Sequence, residues 1–463
     1  MAPSAVTKIK TQLKRFIAWK HAWVAVILAA TLILHLGLLW FPKDLVLDEA
    51  YYVVGARDYL VQGELHQPEN PPLSKFFIAA GMQVFGDNPF GWRIMSAVFG
   101  VGAIFFFYLI LRHFKLSNAA TNIAVTLFAF ENSTFLMASV GMLDIFNVTF
   151  MLAGFWAYLA RKYPLAVAFL LLATLCKLTG VFGIIAIGLH WLVFRRDQAL
   201  KLAVYALVAY VAAILLVPGI EYILTGELGN PLERANHLIA VPGTITFANS
   251  THPSALHPWQ WVLGYHIMPF FWSPQYLSAV TPTVWALTLP AFVWTSWLGW
   301  RRRNETAVFA AAWIFATLIV WIIVGFITDR ITYIFYFVPI VGGVILGIAL
   351  FMDKAMAWAR ADASSALAPA AAGLSETAEE IIIELVPAGE MPAVSPLPEA
   401  SDAMTIATVD LVPVVAIPKK PGWWTRPRRR RLVYIGIGVF VILHLAFFLS
   451  LSPFTNWWPI TPS

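Results

Sequence analysis

Of 463 residues, 60% are hydrophobic and only 12% charged, with 20 Trp and 34 Phe. One soluble core cannot hide that much apolar surface, so the chain reads as a polytopic membrane protein. The net charge of +6 does not point to nucleic acid, because Lys and Arg gather at the ends of apolar segments, where they set topology. A single cysteine, Cys176, excludes an intrachain disulfide.

Lys8, Lys10, Lys14, Arg15 and Lys20 precede an apolar stretch with no small-residue cleavage site, which reads as an uncleaved anchor. Apolar segments of membrane-spanning character then run His21 to Phe41, Gly91 to Leu111, Ala119 to Ala138, Leu143 to Ala160, Leu165 to Cys176, Val181 to Phe194, Leu200 to Val217, Thr281 to Gly299, Ala307 to Ile327, Ile331 to Phe351 and Leu432 to Leu451. The expectation is about eleven transmembrane helices in an all-α protein. The fifth and sixth are short, and merging them is the alternative count.

Positive charge favours eleven. With a cytosolic amino terminus, Arg112 and Lys115, Arg161 and Lys162, Arg195 and Arg196, Arg301 to Arg303 and Arg428 to Arg431 all fall inside. Merging segments five and six would put Arg195 and Arg196 outside and reverse every later loop. The outer side of a plasma membrane then receives the Asp48 loop, the turn from Gly141 to Asp144, the Lys177 turn, the stretch from Pro218 to Val280, and Asp329 with Arg330.

The expected organisation is a transmembrane catalytic core at 1–351 with its first outer loop at 42–92, an insert at 352–431, and a last helix with an outer tail at 432–463. Residues 361–418 are rich in Ala, Pro, Glu and Val and contain no Lys or Arg, which reads as a disordered cytosolic linker before a basic end at Lys419 to Arg431. In the stretch from Pro218 to Val280, Trp259, Trp261, Phe270, Phe271 and Trp272 suit short helices lying at the lipid headgroups.

Ionisable residues beside membrane helices carry the chemistry. Asp48 and Glu49 follow the first span; Ala50 to Leu60 suits a surface helix, and Pro71-Pro72-Leu73-Ser74-Lys75 leads into a second amphipathic one. Asp144 opens a helix, where a carboxylate also suits the positive end of the dipole. Lys177 lies between two apolar runs, too deep for an ordinary surface lysine unless it snorkels or meets an anion. Arg93 opens the second span and Arg330 precedes Ile331 to Tyr336; either also serves as a headgroup anchor. Carboxylates that accept a proton and cations that hold a phosphate, at one depth on one face, suit transfer from a lipid phosphate, with no metal or other cofactor required.

At these residues the chain resembles the GT-C membrane glycosyltransferases, in particular the family 39 dolichyl-phosphate-mannose protein mannosyltransferases. The matching pieces are Leu47-Asp48-Glu49, Asn70-Pro71-Pro72-Leu73-Ser74-Lys75 where the family usually has His-Pro-Pro-Leu-Gly-Lys, Trp92-Arg93-Ile94-Met95-Ser96, Met142-Leu143-Asp144, and Arg330 with Tyr333, Tyr336 and Pro339. They lie within residues 20 to 350. The resemblance implies a GT-C fold and an inverting transferase that moves a hexose, mannose first, from a polyprenyl phosphate to protein Ser or Thr outside the cytoplasm. It implies Asp48 as general base, with Glu49 and Asp144 as further acidic site residues. Arg93, Lys177, Arg330 and Tyr336 would hold the donor phosphate, and Glu69, Asn70, Pro71, Pro72 and Lys75 would position the loop.

The large outer carbohydrate-recognition insert of eukaryotic members is absent from every outer loop. That keeps a lipid or cell-envelope glycan open as the acceptor. The aminoarabinose transferases of lipid A have Glu-Lys-Pro-Pro where this chain has Glu69-Asn70-Pro71-Pro72; Glu69 with His252, His257 or His266 is the alternative metal-ligand set. A non-catalytic transporter of lipid-linked sugar is the reading from another class. It fits less well, because the polar residues gather at one face and no internal repeat is visible.

Overall fold

The computed structural model describes residues 19–61, 69–194, 199–226, 228–249, 251–272, 275–361 and 426–454. The basic amino-terminal run from Lys8 to Arg15, Arg195 with Arg196, and the 362–425 part of the insert lie outside the described residues.

The described chain is almost entirely helical. It begins with α1 (Ala22–Leu38), α2 (Glu49–Val61), α3 (Leu73–Phe85), α4 (Pro89–His113), α5 (Asn118–Ala129), α6 (Asn132–Met137), α7 (Asp144–Leu159) and α8 (Tyr163–Cys176). A single 3₁₀ turn, Leu178–Gly180, joins α8 to α9 (Val181–Phe194). There follow α10 (Ala199–Thr225), α11 (Pro231–Gly243), the one-turn α12 (Gln260–Leu263), the antiparallel hairpin β1 (Met268–Phe271) and β2 (Tyr276–Ser278), then α13 (Pro282–Arg302). The chain continues through α14 (Glu305–Ile314), a π-helical turn Phe315–Ile319, α15 (Val320–Thr328), a 3₁₀ turn Ile334–Phe337, α16 (Val338–Arg360) and α17 (Arg426–Leu451). Among the described residues, those within Met1–Asp353 and Ile437–Ser463 form one compact unit and those within Lys354–Gly436 another.

Among the described residues, five stretches are long and apolar enough to cross a bilayer: Pro89–His113, Ala203–Ile223, Glu305–Thr328, Ile334–Arg360 and Pro427–Leu451. Ala22–Leu38, Asp144–Leu159, Tyr163–Cys176 and Leu178–Phe194 are shorter apolar helices. With no hydrophobic drive between helices in lipid, close packing has to hold them. Gly154 on α7 shows how: a β-carbon there would meet the Leu170 side chain at 2.8 Å, so only glycine lets α7 and α8 approach this closely.

The structure corrects two sequence expectations. The segment Ala119 to Ala138 is broken at Phe130-Glu131, because the Glu131 carboxylate caps α6 by accepting from Ser133 N and Thr134 N and reaches Thr281 N at 2.9 Å. Asn132 Nδ2 adds bonds to the Leu277 and Ala279 carbonyls, lashing the β2 end to the break. The second correction concerns 218–280. Helix α10 runs through Pro218 to Thr225, and Phe270 and Phe271 lie on a β-hairpin rather than a surface helix. Trp261 is fully buried, while Trp272 is exposed.

Candidate active site

The loop between α1 and α2 is folded around Glu49. Leu47 takes a left-handed conformation, φ 46°, which turns the chain so that α2 starts at once and the Asp48 carbonyl accepts from Tyr51 N and Tyr52 N. Glu49 is fully buried. Its carboxylate accepts from Val46 N at 2.8 Å, Gly141 N at 2.6 Å, and Arg93 Nε and Nη2 at 2.8 and 2.7 Å. The Arg93 guanidinium, equally buried, spends its remaining donors on the carbonyls of Leu39, Pro42 and Asp44.

This geometry corrects the phosphate-binding expectation for Arg93 and the site-facing expectation for Glu49. Both side chains are turned away from solvent and satisfy one another, as a buried ion pair must. Their shared work is to clamp the loop that carries Asp48.

Asp48 points the other way, into a cleft of about 600 Å³. The cleft is lined by Asp48, Tyr51, Tyr52, Glu69, Asn70, Lys177, Arg330, Tyr333 and Tyr336 among its polar groups, and by Leu178, Val181, Phe182, Trp321, Val324 and Phe335 on its apolar side. Burial raises the Asp48 carboxyl above its ordinary range; Asp144 adds to that rise, whereas Lys177, His252 and a hydrogen bond from Tyr52 oppose it.

Lys177 ends α8, and the 3₁₀ turn after it leaves its side chain at the cleft. Nζ donates to Asp144 Oδ1 at 2.7 Å and lies 4.4 Å from the Tyr336 ring centre and 5.3 Å from that of Phe335. Asn147 on α7 holds the turn, its Nδ2 donating to the Ala173 and Lys177 carbonyls at 2.8 and 3.0 Å. Asp144 itself is buried behind Lys177 and does not line the cleft. Arg330 does line it; the backbone of Arg330 pairs with Thr246 in an antiparallel bridge, and Thr332 pairs with Leu256, so the segment after α15 is fixed by the loop that follows α11.

Of the loop residues expected to position the site, Glu69 and Asn70 line the cleft, while Pro71, Pro72 and Lys75 are buried at the start of α3. Ser74 donates to the Cys176 carbonyl at 3.2 Å, joining α3 to the end of α8 beside Lys177. Among the described residues no group of three or more His, Cys, Asp or Glu is arranged to hold a metal ion. His252 packs edge-on against Tyr333, and His257 is stacked between Phe247 and Trp259. Tyr52, Tyr51 and Trp321 are cleft residues that the sequence reading did not assign. Only the position of Tyr52, one helical turn beyond Asp48, offered a signal.

Two solved structures share this arrangement of helices. The S. cerevisiae protein O-mannosyltransferase Pmt1-Pmt2 complex bound to the sugar donor superimposes with a TM-score of 0.64 at 10% identity, covering 95% of this chain and 90% of that one. ArnT from Cupriavidus metallidurans bound to undecaprenyl phosphate gives 0.52 at 16% identity, over 94% and 78%. The likeness is one of fold, a GT-C arrangement of apolar helices, and this chain adds to it a cleft of mixed carboxylates and cations.

Residues 69–222 match the family model of dolichyl-phosphate-mannose-protein mannosyltransferases. A polyprenol-phosphate-mannose–protein mannosyltransferase of Corynebacterium glutamicum is 26% identical, over 66% of this chain and 76% of the relative. One of the same description from Mycobacterium tuberculosis is 23% identical, over 73% and 82%. In sequence and in fold, then, this chain is similar to family 39-type transferases named for polyprenol-phosphate mannose.

Proposed function

We propose that the protein transfers a hexose, mannose in the first instance, from a polyprenyl phosphate to a hydroxyl acceptor, Ser or Thr of a protein, by single displacement with inversion. The match of residues 69–222 to the mannosyltransferase family model and the names of the relatives support the donor and acceptor. Asp48, standing in one cleft with Lys177 and Arg330, carries the mechanism.

In this reading the acceptor oxygen attacks the anomeric carbon while its proton passes to the Asp48 carboxylate. The bond from that carbon to the phosphate oxygen breaks, and its electron pair leaves with the phosphate. Lys177 and Arg330 neutralise the charge that grows there, and Tyr336 lines the same wall. A base raised above the ordinary carboxylate range is better matched to a hydroxyl proton than an exposed aspartate. The apolar side formed by Leu178, Val181, Phe182, Trp321 and Val324 suits the prenyl chain. Glu49 and Arg93 hold the base, and Asp144 holds Lys177.

The distribution of Arg and Lys supports an eleven-span topology with the amino terminus in the cytosol and the cleft on the extracytoplasmic face of a plasma membrane, with 1–351 as the catalytic core. Asp48→Asn tests the chemistry. In membranes supplied with labelled polyprenyl-phosphate mannose it is expected to insert normally and to lose sugar transfer by about 10³-fold or more. Wild-type transfer by that variant would remove Asp48 from the mechanism, and label entering lipid rather than protein would change the acceptor.

A further inference from the structure

We infer that Glu69 reads the donor sugar: its carboxylate accepts hydrogen bonds from ring hydroxyls of the hexose while Lys177 and Arg330 hold the phosphate. The inference rests on the reading of the cleft as the donor site and adds a sugar subsite to it.

The charged groups of the cleft divide by what each already does. Asp48, Glu69, Lys177 and Arg330 line it. Lys177 and Arg330 are the cations that meet a phosphate, and Asp48 is the proposed base, so Glu69 is the charged group without a part in the chemistry. Two other acids near the site, Glu49 and Asp144, are each held by a cation at 2.7 Å and are buried outside the cleft lining. Glu69 differs from both. It is half-buried on the cleft wall, and among the described residues its carboxylate accepts one hydrogen bond, from Asn70 Nδ2 at 3.4 Å. An ionised carboxylate accepts at about four lone-pair sites and donates nothing. One long bond leaves most of that capacity to a ligand, and the ligand has to be a donor. A hexose offers several hydroxyls at once, whereas a prenyl chain and a phosphodiester offer none.

The way the loop is mounted places this carboxylate at a sugar's distance from the phosphate. Pro71 and Pro72 fix φ directly after Asn70, and Pro71 also restricts the residue before it. Both prolines are buried, and α3 starts at once. Ser74, fully buried in the first turn of α3, donates to the Cys176 carbonyl at 3.2 Å, and Lys177 is the next residue. The strip that carries Glu69 and the cation that meets the phosphate are therefore built on one joint. In the donor the hexose is bonded to that same phosphate through its anomeric oxygen. Its hydroxyls lie within one ring of the phosphate, in the cleft that Glu69 lines.

The experiment is a cycle of donor and enzyme variants, read as kcat/KM for sugar transfer by the full-length protein in proteoliposomes. The donors are labelled polyprenyl-phosphate mannose and its monodeoxy analogues at C2, C3, C4 and C6, with an acceptor used by the wild type. The wild type is expected to lose about 10- to 100-fold on at least one analogue, the size of a hydrogen bond to a charged group. Glu69→Ala is expected to lose as much on mannose and nothing further on that analogue, because the two changes remove the same bond. Glu69→Gln, which keeps the shape and one acceptor oxygen, falls between. Affinity for sugar-free polyprenyl phosphate is expected to stay at the wild-type value in both. Should Glu69→Ala fail to insert, Glu69→Gln decides by the same cycle. A wild type indifferent to every analogue, additive losses on all of them, or an equal loss of affinity for the sugar-free phosphate overturns the inference while leaving Asp48, Lys177 and Arg330 in their roles. Asp48→Asn is run alongside, and wild-type transfer by that variant overturns the reading of the cleft itself.

Discussion

Arg93 and Glu49 come from positions 44 residues apart and meet at 2.7 Å with neither side chain reaching solvent. Each is fully satisfied: the carboxylate by two backbone amides and the guanidinium, the guanidinium by the carboxylate and three carbonyls of the Asp48 loop. The pair therefore converts a flexible connection into a rigid platform, and the residue at its edge, Asp48, inherits the rigidity.

Removing one partner should cost stability before it costs chemistry. Arg93→Gln or Glu49→Gln leaves an uncompensated buried charge, an effect of about 3–5 kcal/mol. Arg93→Lys keeps the charge but loses the fork that serves several carbonyls at once. Thermal unfolding in detergent is expected to show all three variants lowered, with Arg93→Lys least affected. If Arg93→Lys kept wild-type stability and only the donor KM rose, Arg93 would be a phosphate ligand and the clamp assignment would fail.

Gly180 sets the position of Lys177. A β-carbon there would sit 2.4 Å from Thr174 N and 2.5 Å from the Ala173 carbonyl carbon, both backbone atoms that cannot swing aside. Gly180→Ala is expected to open the turn between α8 and α9, cost about 1–3 kcal/mol, and weaken binding of polyprenyl phosphate by moving Nζ. The measurement is lipid-phosphate affinity beside unfolding temperature. Unchanged affinity would show that the turn does not place the cation.

Much of this cleft was legible because its parts are expensive residues in cheap surroundings. Asp48, Lys177 and Arg330 stand out beside apolar runs, and the cleft collects all three. What the sequence could not show is pairing at long range. Nothing in the pattern around Glu49 says that its partner is Arg93 rather than solvent, so Arg93 read as a phosphate ligand and Glu49 as a site acid. The break at Glu131 was hidden for a related reason: hydropathy averages over a window, and one acid that caps a short helix and accepts from the distant Thr281 amide disappears into it. Pro218 misled in the opposite direction, since a proline inside an apolar segment reads as an end, whereas α10 passes through it.

Lys177 and Asp144 should separate by variant. Asp144→Asn leaves the cation at the cleft, whereas Lys177→Met removes it and leaves the Asp144 carboxylate buried without its partner. The expected order is a modest loss of transfer for Asp144→Asn and a loss of about 10²–10³-fold for Lys177→Met, the range for deleting one group that stabilises developing charge. Steady-state rates per folded protein measure it. Equal losses in both variants would mean that the pair acts only as structure.

Arg330 offers the cleanest test of the phosphate end. Its backbone is fixed by the bridge to Thr246, so a substitution changes the side chain without releasing the segment. Arg330→Ala is expected to weaken binding of polyprenyl phosphate by about 10- to 100-fold, the size of a charge-assisted hydrogen bond lost, with Arg330→Lys between it and the wild type. Binding of the corresponding uncharged polyprenol should not change, because in the proposed reading the prenyl chain rests on Leu178, Val181 and Phe182, which also line the cleft. Equal loss for the phosphate and the alcohol would show that Arg330 shapes the cleft and does not read its charge.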